Sequence, residues 1–558
     1  MSIKTEEEVK KWRSRIETAV KGNQPRLDDQ KKAVAAYELN KPSKDGIITT
    51  DEDTEGRKKN PIIYDTFSLL IPSLLARLPE IRVDAMTAEG MEQGPIIEKV
   101  VKQLAKEIFL YEEILRTVKN AVIEGEGFVK IGYAPIMEKV EGEWVLYEDR
   151  VFVENIPNKD IILDTEARSF EACKFIGYKL TLSKAEVKAR WPDANTEKMC
   201  SYTLGGEKAE DIGENKDNKR YLIFEIWSKS ENMYFVMADG YTDSFLEKKP
   251  WPYDLKDYPF EMMVFDEEVG TFRGFNEINI HEGSVDDINF MEELQRESAE
   301  QAPGITLAQN GGVTDDEAKA ITSPESGKRL VFVNNIEAFN SLRFEGVSAE
   351  TFKLRDDKVR QIRETTHTSD QRRQGKGKSG TTATEAAIAQ QHSGVLTGFK
   401  SSQVERFIER VIEKLMAIVS EFFDEPRTIK IENKFTGEVS FSEWQGTNIA
   451  QFDYKVSVGS AAAQNTTIEI SQTQQSLALI ERMSMAGIIP NPRPGARYLT
   501  RKMLSLQRLD PAIVDQMFQE PQVPYLNQQG NQGSGESGLR DISSLQKGLP
   551  DVGKTFIP

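Results

Sequence analysis

A chain of 558 residues with 72 Lys and Arg against 90 Asp and Glu, a formal charge of -18, is too long for one hydrophobic core and too acidic to coat duplex DNA. Its apolar fraction of 38% and charged fraction of 29% suit several modest cores with a wide polar surface, as in an oligomer with wet interfaces. Cys173 and Cys200 give neither a zinc spacing nor a disulfide framework, and the start, MSIKTEEEVKKW, has no apolar signal core, so synthesis in a reducing cytoplasm is expected.

The first predicted element is an amphipathic helix over 4–22, where Val9, Trp12, Ile16 and Val20 recur at three- and four-residue spacing. A polar stretch over 42–60 precedes a second helix, 61–78, that stops before Pro79. Its segment FSLLIPSLLARL is the most apolar in the chain, but it is short and interrupted by Pro72 and Arg77, so it reads as a buried wall helix rather than a membrane span. A longer helix is expected over 94–123, with Ile97, Val101, Leu104, Ile108, Leu115, Val118 and Val122 on its buried face.

The period then changes to two. GFVKIGYAPIMEKVEGEWVLYEDRVFVENI reads as short strands with turns at Ala134-Pro135 and Glu141-Gly142. Further strands and a short helix capped near Ser183 follow, then a charged loop over 204–219 and a strand pair in RYLIFEIWSK and NMYFVMADG. Up to residue 265 the pattern is mixed α+β, not a doubly wound sheet.

From 273 a single polar helix is expected up to Pro303, with eight acids (Glu277, Glu282, Asp286, Asp287, Glu292, Glu293, Glu297, Glu300) against Arg296. Its apolar stripe, Val285, Ile288 and Met291, is so thin that no place in the subunit's own core is expected for it. A small α/β insertion over 304–347 contains strand GITLAQ, helix TDDEAKAIT opened by a Thr314-x-x-Glu317 capping pattern, and strand KRLVFV. A second polar helix, 348–368, carries Lys353, Arg355, Lys358, Arg360 and Arg363. The two charged helices flank the insertion as a paired stalk whose opposite charges meet within a subunit or across to the next.

The segment SDQRRQGKGKSGTTATEAA poses a choice between a phosphate-binding loop and a mobile basic loop. The phosphate loop needs G-x-x-x-x-G-K-[ST] after a strand; Gly377-Lys378-Ser379 supplies the end, but Arg372 stands where the first glycine belongs and a polar helix precedes. Arg372, Arg373, Lys376 and Lys378 among Gly375, Gly377 and Gly380 suit phosphate contact without base readout, since no aromatic is interleaved. A long helix over 383–423 follows, with a core face from Val404 to Phe422 and a kink expected at Gly394 and Gly398. Strands TIKIENK, GEVSFSEW and FDYKVSVG come next, then a helical region over 464–520 and a glutamine-rich tail that composition marks as disordered.

Little else suggests chemistry. His281, His367 and His392 are too far apart for a ligand cluster and read as helix-surface residues. No calcium loop and no Ser-His-Asp or Cys-His arrangement stands out, so neither an enzyme nor a cofactor is expected.

This order of parts resembles the portal proteins of tailed double-stranded DNA bacteriophages, in particular those of short-tailed phages. NAVIEGEGFVKIGY is similar to the helix-to-strand passage of the family's wing, VENIPNKDIILD to its characteristic turn, and TTATEAAIAQQ to the start of its long helix beneath the crown. The resemblance covers about 60–520 and rests on organisation rather than on a catalytic signature. It implies an α+β fold with wing 1–272, stem helix 273–303, clip 304–347, stem helix 348–368, tunnel loop 369–382, long helix and strands 383–460, crown 461–520 and tail 521–558. It further implies a homo-oligomeric ring, usually of twelve, at one capsid vertex, with duplex DNA passing through. Glu282, Asp286, Asp287, Glu293 and Glu297 would then face the channel, Lys353, Arg355, Arg360 and Arg363 would meet the next subunit, and Arg372, Arg373, Lys376 and Lys378 would reach the DNA. Implied partners are the terminase large subunit, the major capsid and scaffolding proteins and a head-tail adaptor, with no membrane; the place is the virion, after synthesis in the host cytoplasm. The alternative is a helical scaffold or adaptor without a channel.

Overall fold

A computed structural model describes residues 2–39, 60–76, 78–79, 81–85, 93–140, 143–202, 219–301, 305–310, 312, 314–321, 329–334, 347–366, 383–432, 439–446, 452–456, 466–485 and 493–506. These residues are 53% helical and 23% strand, an α+β composition. The chain forms two compact units, Met1–Asn433 with Glu438–Ser471, and Lys434–Gly437 with Gln472–Pro558.

Helix α1 (Ser2–Leu39) extends far beyond the expected end at 22, passing through Pro25. Proline removes a helical hydrogen bond and crowds the preceding turn, but tertiary anchors hold the second half in place. Arg26 Nη1 donates to the Gly274 carbonyl at 2.7 Å, and Ala33 and Tyr37 enter the main core. In the first half, Val9, Trp12 and Ile16 pack with Phe175 and Phe235 in a separate small core. Helix α2 (Ile62–Leu74) ends four residues short of the expected 78 but is the expected buried wall, with Ile63, Phe67, Leu70 and Leu74 inside. Strand β1 (Ile81–Ala85), too short to register in the sequence pattern, pairs antiparallel with residues 452–456.

In place of one helix over 94–123 stand α3 (Gly94–Glu107) and α4 (Leu110–Glu124), separated by Phe109 in the left-handed region at φ 53°. Strands β2 (Glu126–Tyr133), β3 (Ile136–Val140), β4 (Glu143–Glu148) and β5 (Val151–Ile156) stand where the period-two pattern expects them, although β2 is buried almost throughout rather than on one face. The helix breaks because its halves serve different layers: α3 lies against β1, α4 against β2 and β5. One straight helix offers one buried face.

Next come β6 (Ile161–Leu163), β7 (Phe175–Ser183) and α5 (Lys184–Arg190). The cap at Ser183 is reciprocal: its Oγ accepts from Glu186 N at 3.3 Å, and Glu186 Oε2 accepts from Ser183 N at 2.7 Å. With β8 (Ser201–Tyr202), β9 (Arg220–Ser228), β10 (Met233–Ala238) and β11 (Glu247–Pro250) they build a sheet ordered β11-β10-β9-β7-β6, β8 pairing with β9. Strand β12 (Phe260–Val264) completes a second sheet, β12-β2-β5.

Residues 273–303 are not one helix. A bridge between Glu267 and Gly274 keeps the first residues extended, α6 (Glu277–Ile280) starts after Asn276, and α7 (Glu282–Gln301) starts after a break at His281. The thin stripe of α7 is also buried within the subunit: Ile288 is fully enclosed, Met291 is 7% exposed and Val285 packs on the main core. Charged side chains reach solvent around a contact only two or three residues wide, so net polarity misjudged this helix. His281 is likewise buried, not on a helix surface.

The insertion contains β13 (Ile305–Gln309), α8 (Asp315–Ile321) and β14 (Arg329–Val333), the strands pairing in parallel. Helix α9 (Ala349–Thr365) follows, its first turn capped by Ser348 Oγ, which accepts from Thr351 N at 3.3 Å. Helix α10 (Ala383–Phe422) is continuous through Gly394 and Gly398 and buries Val404, Phe407, Ile408, Val411, Ile412, Leu415, Ile418 and Val419, the expected face. Strands β15 (Arg427–Glu432) and β16 (Val439–Trp444) form a hairpin, and β17 (Phe452–Val456) is the partner of β1. The second unit contains α12 (Arg493–Leu506) and most of α11 (Thr466–Met485). Residues 367–382 and the tail after 506 lie outside the described residues.

Candidate functional site

The charged helices α7 and α9 are brought together as a pair. Arg355 Nε and Nη2 donate to Glu292 Oε1 at 3.0 and 2.6 Å, Lys358 Nζ lies 2.9 Å from Asp287, and Val347 N donates to Ser298 Oγ at 3.2 Å. Rising numbers on one helix meet falling numbers on the other, so the pair is antiparallel. The insertion joins the end of one helix to the start of the other. At about 1.5 Å per residue, the 20 residues of α7 span roughly 30 Å. Glu292 also accepts from Asn60 Nδ2 at 2.5 Å, which ties the pair to the entry of α2.

Of the acids expected to face a channel, Glu282, Asp286, Asp287 and Glu297 are exposed and Glu293 is half-buried, 4.0 Å from Arg296. Of the cations expected at a subunit contact, Arg355 is bound to Glu292 of its own chain, which with Asp356 raises the pKa of its guanidinium, the hydrogen bond it donates to Glu292 being the main cause. Arg360 bridges Asp357 and Glu364 on its own helix, Lys353 is exposed and Arg363 half-buried. Arg372, Arg373, Lys376, Lys378 and His367 lie outside the described residues, and His392 is described only by its place in α10. The helix pair also exposes apolar side chains: Phe290 at 61%, Phe352 at 48% and Leu354 at 50%.

Two buried ionic clusters escaped the sequence reading. Glu126 receives Arg273 Nε and Nη2 at 2.9 and 2.6 Å and Gln30 Nε2 at 3.0 Å, while Arg273 Nη1 donates to Asn23 at 2.8 Å. Burial acts to raise the Glu126 pKa, but the Arg273 and Arg26 charges outweigh it and hold the carboxyl below its ordinary value. This knot joins α1, the start of β2 and the segment leading into α6. Its neighbour Glu124 is pushed the other way, up to about 7, by burial and by the Glu126 charge. In the second cluster Lys130 Nζ donates to Tyr178 Oη at 2.5 Å and to Glu225 at 2.8 Å, and Tyr178 donates to Glu225 at 2.9 Å, linking the two sheets. Glu126 and Lys130 are charges inside an otherwise apolar strand, and that was the signal available. At the foot of α7, burial lowers the His281 pKa.

Among the described residues, no group of three or more His, Cys, Asp or Glu is placed to hold a metal ion, and no helix is long and apolar enough to cross a membrane. Comparison with protein-family models and with curated proteins gave no match.

Proposed function

We propose that the chain is a portal protein, one subunit of a ring at a capsid vertex through which double-stranded DNA is packaged and ejected. The observation that supports this best is the antiparallel pair α7 and α9. Its connection is a βαβ insertion, and Phe290, Phe352 and Leu354 are exposed among its charges. Exposed aromatics on so polar a pair are what contact between neighbouring copies would cover. The acids that stay exposed suit a conduit, since a wall that attracted phosphate strongly would hold DNA rather than let it slide. The insertion would meet the packaging motor and later the head-tail adaptor, and the loop 369–382 would add non-specific phosphate contact.

The test is negative-stain electron microscopy with native mass spectrometry on the purified chain, alone and with capsid and scaffolding proteins. Closed rings are expected, with a hole that admits duplex DNA, whose major groove alone is about 12 Å wide. Open filaments, or a compact dimer in both preparations, would reject the conduit and favour the adaptor reading.

A further inference from the structure

The larger unit carries an open groove of about 860 Å3 between the outward stripe of α10, the segment 254–258 and β17. The stripe follows from helical period: with Val411, Ile412, Leu415 and Ile418 turned inward, Arg410, Glu413, Ala417 and Glu421 are left outside. Phe170, Leu255, Phe452 and Tyr454 give the groove an apolar, aromatic lining. Acids dominate the rest. Arg410 and Lys414 are both bound to Glu261 at 2.9 and 2.7 Å and Lys256 is exposed, while Glu171, Asp254, Glu413 and Glu421 are the exposed acids that outnumber it.

We infer that this groove docks a basic, apolar-studded segment of another polypeptide. Arginine or lysine side chains of that segment lie over the aromatic lining and against Glu171 and Asp254. Aliphatic side chains between them fill the space toward Leu255 and Phe452. Nucleic acid and anionic lipid are repelled by the rim. The chain's own segment 493–506, RPGARYLTRKMLSL, is also basic and apolar-studded, so a second copy is the competing occupant; a synthetic 493–506 peptide that binds more tightly than a peptide alternating Arg and Leu would reassign the groove to it and overturn the inference. The inference does not depend on the channel reading.

The test uses the full chain and a fluorescent synthetic peptide alternating Arg and Leu, followed by anisotropy. An Arg-Gly peptide of equal charge and spermidine serve as controls. Saturable binding is expected, weakened about tenfold by Glu171→Gln with Asp254→Asn, with unchanged circular dichroism. The Arg-Gly peptide should bind at least about tenfold more weakly. Affinity indifferent to these substitutions, equal binding of the Arg-Gly peptide, or displacement by equimolar spermidine would overturn the inference. So would the absence of saturable binding. None of these results would bear on ring formation.

Discussion

Replacing Glu124 by Gln should stabilise the protein at alkaline pH and hardly at all in mild acid. Glu124 ends α4 and faces Glu126 of β2, with Asn158 and Lys159 beyond β5 and Gln30 of α1, whose Nε2 donates to the Glu124 carbonyl at 3.3 Å. Burial, then the Glu126 charge, lifts its carboxyl from 4.5 to about 7; Asn158 and Lys159 lower it less. The folded state therefore holds this proton more tightly than the unfolded chain. The favourable contribution is complete below 4.5 and is lost as pH rises through about 7. At about 1.4 kcal/mol per tenfold change in proton affinity, the ionised carboxylate costs about 3 kcal/mol, a figure that partial solvent access reduces to about 2. Urea denaturation of wild type and Glu124→Gln between about pH 5 and pH 8 measures it, the variant gaining about 1–2 kcal/mol over that range. Equal stability at every pH, or a difference that does not change with pH, would refute the burial and charge argument.

Lys130→Met should cost about 3–5 kcal/mol, because it leaves Glu225 charged and buried, and adding Glu225→Gln should recover part of that in a thermal or urea melt. Alanine at Arg372, Arg373, Lys376 and Lys378 together should leave ring assembly intact in electron micrographs while altering packaged DNA length or its retention; normal packaging and retention would remove the loop from the mechanism.

Much of the architecture was legible in local pattern. The period-two pattern of 126–156 gave β2 to β5, the cap near Ser183 gave the start of α5, and the apolar stripe of 404–419 gave the buried face of α10. Each is settled by residues within a few positions of one another, where period and capping act. The failures share one cause. The end of the first helix at 22 and the single helix over 94–123 were both read from local apolar period. The extension of α1 rests on Arg26 reaching Gly274, and the break at Phe109 on α3 and α4 having different sheets to cover.

The candidate site divides the same way. The charge of α7 and α9 and the insertion between them are properties of the sequence alone. Which acid meets which cation is not, because Glu292 lies equally near several cations until the antiparallel register selects Arg355. The groove beside α10 was invisible for the same reason, since Phe170, Leu255, Arg410 and Tyr454 converge only in three dimensions. Sequence determined the identity and period of most elements and the ends of a few, such as α5, α9 and α10, because short-range sterics and hydrogen bonding suffice for them. Tertiary structure alone decided where helices bend, which charges are buried as pairs and where a cleft opens, because burial depends on neighbours brought from distant parts of the chain.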